Sequence, residues 1–472
     1  MQNNTEEAQL SRGLEQRHIA LMSLGAAIGV GLFLGSADAI KMAGPGIVVG
    51  YAIGGLAIFF IMRALGEMAI KNPVAGSFSR YANNYIGPLA GFITGWNYWF
   101  LWILTCMAEI TAVGVYMKHW FPDSPQWAWA LAALVVMTAV NFLAVKAYGE
   151  LEFWFAAIKV VTIILMIVVG LGMIIFGFGN NGVATGISNL WSHGGFFPNG
   201  GEGVLRAMQM VMFAYLGIEM IGVTAGEVKN PEKSIARAID SVFWRILLFY
   251  VLALSVIMAI YPWDEIGGGN SPFVLTFEKI GIAKAAGIIQ FVVLTAALSS
   301  CNSGIFSTAR MLFNLAQQGE APKRFEKTNK GGVPGIAILM SATVLLIGVV
   351  LNYFMSDDVF KIVTSIATFG ALWTWGIILV SQMKFRKTLS SSEKKKLKYK
   401  MPFYPYSSYF ALAVLLLVIG VMAYYPGVRV ALVVGPLWIL MLIAVYYAKG
   451  MQHRAGNYEL NQGKNNKDKQ IM

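Results

Sequence analysis

Three ionisable residues stand inside apolar runs, where charge is costly: Lys159 in WFAAIKVV, Glu219 in MFAYLGIEMIG and Glu109 in TCMAEITAV. An amine and two carboxyls so placed can hold and release protons, and an ionisable group within a membrane is a functional candidate by default. Glycines that weaken helices stand in two of the chain's apolar runs. GAAIGVGLF carries Gly25, Gly29 and Gly31, and Gly217 precedes Glu219 by two positions; each glycine costs a helix interior about 1 kcal/mol relative to alanine. A helix interrupted there frees amides that can take a carboxylate and carbonyls that can take an ammonium. A ligand with both groups on one carbon is an α-amino acid. The competing readings are close helix packing at the glycines, a lysine that snorkels to the inner surface and acids held neutral by hydrogen bonds. For Glu109, a second relay, a pocket wall and a structural acid all stay open.

The elements that must position these groups are membrane helices. Of 472 residues, 57% are hydrophobic and 13% charged, about half the charged share of soluble domains. Runs of roughly 20 apolar residues, enough to cross a bilayer, lie near 19–40, 45–69, 89–117, 126–145, 154–177, 203–224, 243–261, 285–308, 335–353, 359–382, 407–425 and 427–447. They are numbered segments 1 to 12. Their length excludes the alternating strands of a barrel, so the predicted fold is an all-α bundle of twelve transmembrane helices. The polar start MQNNTEEAQLSRGLEQRH does not read as a cleavable signal.

The net charge of +12 follows topology. With an inside N-terminus, Lys323, Arg324, Lys327 and Lys330 share one inner loop. Lys384, Arg386, Lys387, Lys394, Lys395, Lys396, Lys398 and Lys400 share another, whereas Asp123, Asp264, Asp357 and Asp358 face outward. That asymmetry predicts cytoplasmic termini and attraction to anionic lipid; no recognition motif supports nucleic-acid binding. Cys106 and Cys301 read as packing residues. Four scattered histidines offer no metal-ligand spacing, and no phosphate loop is present.

The chain divides into a tail at 1–18, segments 1–5 at 19–177, a polar loop at 178–202, segments 6–10 at 203–382, a basic loop at 383–406, segments 11–12 at 407–447 and a tail at 448–472. Five crossings per block make the blocks enter the membrane from opposite sides, the arithmetic of an inverted repeat. Segments 1 and 6, the first of each block, both carry glycine defects, the sequence pointer to a transporter site. Arg63 and Glu67, four apart in MRALGEMA, are predicted to pair at the inner end.

The chain resembles the amino acid permeases of the amino acid-polyamine-organocation superfamily, in the bacterial branch of proton-coupled amino acid transporters. The resemblance runs through LSRGLEQRHIALMSLGAAIGVGLF, AGP at Ala43–Pro45, MRALGEMA, SFSRYA, GPLAGFITGWNYW, GELEFWFAAIKV, FAYLGIE, GEVKNPEKSIARAI and NSGIFSTARML. It implies a fold like that of the bacterial leucine transporter, with two inverted five-helix repeats, unwound helices 1 and 6, and two further helices. It also implies a multi-pass protein of the bacterial cytoplasmic membrane, with no enzymatic activity, cofactor or obligatory protein partner. Permeases for proline, and for D-serine, D-alanine and glycine, look most similar.

By that resemblance Ala27, Ile28, Gly29, Val30 and Gly31 receive the substrate carboxylate, with Gly29 and Gly31 open for want of a Cβ. Phe213 and Tyr215 form an aromatic gate or wall, and the carbonyls of Phe213 and Ala214 hold the ammonium beside Gly217. Lys159 takes the place of a sodium ion between segments 1, 5 and 8, and Glu219 ties helices or relays a proton. Ser299, Ser300, Asn302 and Ser303 of segment 8 face segment 1 as hydroxyl and amide partners. The expected activity is proton-driven import of a neutral amino acid; a proton-independent exchanger or uniporter and a transporter-fold nutrient sensor are the alternatives.

Overall fold

The computed structural model describes residues 28–73, 77–143, 145–223, 231–266, 271–279, 283–329 and 331–452, and no strand occurs among them. Nine helical stretches of the described chain have the length and hydropathy of a membrane span. Three of the twelve runs depart from that pattern, each for a local reason. Segment 1 is helical as Val30–Phe33 and Gly35–Ala43 and runs through a 3-10 turn, Gly44–Gly46, into segment 2, Ile47–Lys71. Gly44 of the AGP motif makes that corner at φ +62°, a conformation that favours glycine. Segment 4 is a 16-residue helix, Gln126–Asn141, so at about 1.5 Å per residue it falls short of a hydrocarbon core about 30 Å thick. Segment 6 is split into Gly200–Ala214 and Met220–Val223.

The remaining helices follow the apolar runs: segment 3 at Pro88–Met117, segment 5 at Val145–Phe176, segment 8 at Ala283–Gln317, segment 9 at Gly335–Phe354 and segment 10 at Val359–Thr388. Segments 11 and 12 are Tyr406–Tyr424 and Val430–Ala448. Segment 7 begins at Pro231 and ends at Ile260, with a π-helical stretch at Ile246–Leu252 that hydropathy does not foretell.

Segments 3 and 8 form the centre. Their most apolar windows are 83% buried, against 22% in segment 12, which leaves segment 12 at the periphery. Segment 3 packs on segments 8 and 10, and Gly35–Ala43 of segment 1 packs on Gly200–Ala214 of segment 6. Corresponding members of two five-helix blocks therefore meet, 1 with 6 and 3 with 8, as an inverted repeat requires. Segment 11 lies against segment 2 and segment 12 against segment 10, outside that symmetric core.

Candidate functional site

Ile28 and Gly29, the first described residues, are not helical, and the described helix of segment 1 begins at Val30 from an extended Gly29 (φ −112°, ψ −160°). The Gly29 carbonyl accepts from Leu32 and Phe33 at 3.2 and 3.3 Å. The amides of Val30 and Gly31, ahead of those bonds, have no acceptor within their own helix. What fills the space beside them comes from other helices. A Cβ on Gly29 would stand 2.6 Å from Glu109 Oε1 and 3.0 Å from Ser300 Oγ, and the Val30 amide lies against the same carboxyl. An acid from segment 3 thus caps the positive end of the helix that begins at Val30. Ala27 lies outside the described residues.

Lys159 is fully buried in segment 5 and does not snorkel to the surface. The carboxyls of Glu152 and Glu109 are the charges that act on it. Glu152, which sequence reasoning missed, accepts hydrogen bonds from Ser299 Oγ at 2.5 Å and Asn302 Nδ2 at 3.3 Å. Asn141 of segment 4 donates in turn to Asn302 Oδ1 at 2.8 Å. The signal for Glu152 was its place two helical turns before Lys159 in GELEFWFAAIKV, on the same face. Of the segment 8 residues, Ser300 has its hydroxyl beside Gly29, as expected of a partner of segment 1. Ser299 and Asn302 turn instead to segment 5, because positions on a helix share a partner only when they share a face. Ser303 is buried in the same row.

Segment 6 breaks differently. Its first helix ends at Ala214, and a turn through Tyr215–Glu219 places Gly217 at φ +97°, again a conformation that favours glycine. The buried Glu219 carboxylate accepts from the Gly217 amide at 3.2 Å and from the Tyr98 hydroxyl at 3.4 Å, so it ties the break to segment 3. Gly31 meets this region directly: a Cβ there would stand 2.7 Å from Ala214 Cα and 3.2 Å from Phe213 Cδ1. The missing side chain at Gly31 thus admits the backbone of segment 6. The Ala214 carbonyl accepts from the Tyr250 hydroxyl at 2.8 Å, and the Tyr215 hydroxyl donates to the Tyr51 carbonyl at 2.6 Å. The rings of Tyr51, Tyr215 and Tyr250 pack with centroids 4.7–6.0 Å apart. Phe213 is buried beside them, with its ring 6.3 Å from that of Phe360.

At the end of the bundle that carries the basic loop, the expected Arg63–Glu67 pair is replaced. Arg63 donates to Asp240 of segment 7 at 2.7 Å and lies over the Tyr399 ring. Glu67 takes two bonds from Arg386 of segment 10, at 2.6 and 2.5 Å, and one from the Met401 amide at 2.7 Å. A bidentate guanidinium fork and a buried amide outcompete a flexible neighbour on the same helix, whose pairing is worth only about 0.3–0.5 kcal/mol.

A helix start capped by a carboxyl from another helix, a buried lysine on which two buried acids act and a split helix packed beside them are features of a membrane carrier, and comparison with known proteins agrees. The family model for amino acid permeases matches residues 18–458. The uncharacterized amino acid permease YtnA of Bacillus subtilis strain 168 is 71% identical over 95% of this chain and 97% of its own length. From the same organism, the probable threonine/serine transporter YbxG is 50% identical over 94% and 96% of the two chains, and the amino-acid permease AapA is 48% identical over 94% and 96%. The chain belongs to the amino acid permease family of the amino acid-polyamine-organocation superfamily, whose members are membrane transporters and not enzymes.

Proposed function

We propose that the chain imports a small neutral amino acid across the cytoplasmic membrane by proton symport, with both termini in the cytoplasm. The observation that carries this reading is the seating of Lys159 between Glu152 and Glu109, with Glu109 against the break at Gly29 and Val30. A lysine ammonium offers three donors and a charge that two carboxyls can share; the neutral amine offers neither. Removal of its proton loosens Glu109 from its neighbours and with it the start of segment 1, so proton release and helix movement are one event. The substrate carboxylate takes the amides at Gly29–Gly31, displacing Glu109 from that of Val30. Its ammonium takes the carbonyls of Phe213 and Ala214, of which the latter keeps a second lone pair beyond its Tyr250 bond. Phe213 forms the wall, and Glu219 steadies the segment 6 turn.

The name of the relative YbxG favours serine or threonine; proline is the other candidate. Uptake of labelled serine, threonine and proline into proteoliposomes under an imposed pH gradient, acid outside, tests the proposal. Accumulation above equilibration that collapses with a protonophore is expected. Uptake that only equilibrates, with or without the gradient, overturns symport. Competition by the common L- and D-amino acids then ranks substrates.

A further inference from the structure

A second site lies at the basic end of the bundle. Between residues 384 and 400 the chain carries eight cations and a single acid, Glu393. That acid is spent within its own short helix, Ser391–Lys396, where its carboxylate accepts from the Ser390 amide at 2.9 Å and the Ser390 hydroxyl at 2.8 Å in a capping box. These bonds hold the Glu393 carboxyl below the usual carboxylate range. Between this strap and the end of segment 10 opens a cavity of about 220 Å³, lined by Arg386, Lys387, Lys394, Leu397, Lys400 and Tyr404. Four of the six lining residues are cations and none is an acid.

Two of those cations are already oriented. Arg386 is fixed by Glu67 through Nε and Nη2 and lies over the Tyr404 ring, 4.0 Å from its centroid. Its Nη1, with two further N–H donors, stays outside that fork. Lys400 is held by a bond from its Nζ to the Lys395 carbonyl at 3.0 Å and by Arg63, which donates to the Lys400 carbonyl at 2.5 Å. Arg386 has Glu67 as its counter-ion, but no acid lines the cavity beside Lys387, Lys394 and Lys400, and an anion with several acceptor oxygens would relieve their repulsion while bridging the donors.

We propose that this cavity binds a phosphate group and that the bound phosphate pins the strap of residues 390–404 to the end of segment 10. Phosphate suits it better than a carboxylate because its oxygens can meet Arg386, Lys387, Lys394 and Lys400 together. The volume is below the roughly 300–1,000 Å³ of ordinary small-molecule pockets, so the ligand is a phosphate or a headgroup rather than a nucleotide. The group comes either from an anionic phospholipid, which basic loops next to membrane helices attract, or from free inorganic phosphate.

The test is the thermal midpoint of the full chain in phosphatidylcholine nanodiscs, read by tryptophan fluorescence, with inorganic phosphate titrated against chloride at equal ionic strength. Parallel discs contain phosphatidylglycerol. At least one probe should raise the midpoint by about 2 °C at saturation. Phosphatidylglycerol acting alone assigns a lipid headgroup, and inorganic phosphate acting alone assigns the soluble ion. The double variant Lys394→Gln/Lys400→Gln should lose most of the rise while keeping its midpoint in chloride and phosphatidylcholine; Lys387→Gln serves as an independent second variant. No rise with either probe, or a full rise in both variants, overturns the proposal. Because the readout is binding, it fails or succeeds separately from symport.

Discussion

The helix start at Gly29–Val30 of segment 1 and the turn that splits segment 6 differ in what surrounds them. The break in segment 1 faces an acid, a hydroxyl and, behind them, a buried lysine and a second acid: Glu109, Ser300, Lys159 and Glu152. The break in segment 6 closes on itself through Glu219 and Gly217 and rests on the three rings of Tyr51, Tyr215 and Tyr250. The first region therefore gathers a lysine and two acids, and the second a single acid, Glu219, beside three tyrosine rings. An inverted repeat supplies two similar openings; on the proposed function the labour is divided between them, with the lysine and its two acids at the first and the aromatic wall at the second.

The largest effect should come from the charged side. Lys159→Ala removes the ammonium that both acids act on, and gradient-driven accumulation in proteoliposomes should fall to the level of protein-free vesicles. Full accumulation in this variant would place the coupling elsewhere and end the contrast. Next, Glu152→Ala strands Lys159, Ser299 and Asn302, and breaking a buried charge pair typically costs about 3–5 kcal/mol. Tyr215→Phe, on the other side, loses one neutral bond to the Tyr51 carbonyl, about 1 kcal/mol. The thermal midpoints of the two purified variants should therefore separate clearly, with Glu152→Ala the lower; equal midpoints would break the comparison.

The glycines sharpen it further. A methyl at Gly31 meets the backbone of Ala214 at 2.7 Å, and backbone in a packed core gives way at about 1–3 kcal/mol. A methyl at Gly29 meets the end of the Glu109 side chain, which can rotate. Gly31→Ala should therefore lose stability and transport together, whereas Gly29→Ala should stay folded and lose transport alone. Thermal midpoint and uptake measured on both variants check this, and a destabilised Gly29→Ala would mean that Glu109 is as rigid as backbone.

Sequence reading was strongest where information lies along one helix. Twelve apolar runs, glycines at the two breaks and an ionised residue in the middle of a span are properties of a segment by itself, and Lys159, Gly31 and Gly217 were visible that way. It was weakest where the answer depends on which helices face each other. Glu152 and Lys159 share a helix face, yet only the packing of segment 8 shows that Ser299 and Asn302 complete the site. Arg63 and Glu67 have ideal spacing to pair, and Arg386 and Asp240 from distant positions take them apart. The π-helical stretch at Ile246–Leu252 left no trace, because an apolar stretch has the same hydropathy whichever carbonyl each amide bonds.

The smallest effect guards the others, since pH also acts on stability away from both breaks. Glu320 lies in the loop after segment 8, where burial pushes its carboxyl up to about 7 against the pull of Arg80; Trp96 holds its carbonyl at 3.3 Å. A carboxyl raised in the folded state keeps a proton that the unfolded chain gives up. Its contribution is complete below about pH 4.5 and is lost as pH rises through about 7. Complete burial would make this worth about 3 kcal/mol, and partial exposure screens it to about 1 kcal/mol. The midpoint of the unmodified protein should therefore fall between pH 5 and pH 8 by more than that of Glu320→Gln, whose curve should be flatter. If the two curves coincide, Glu320 does not titrate there. If uptake by Glu320→Gln keeps its full pH dependence while its stability curve flattens, that dependence belongs to the break in segment 1.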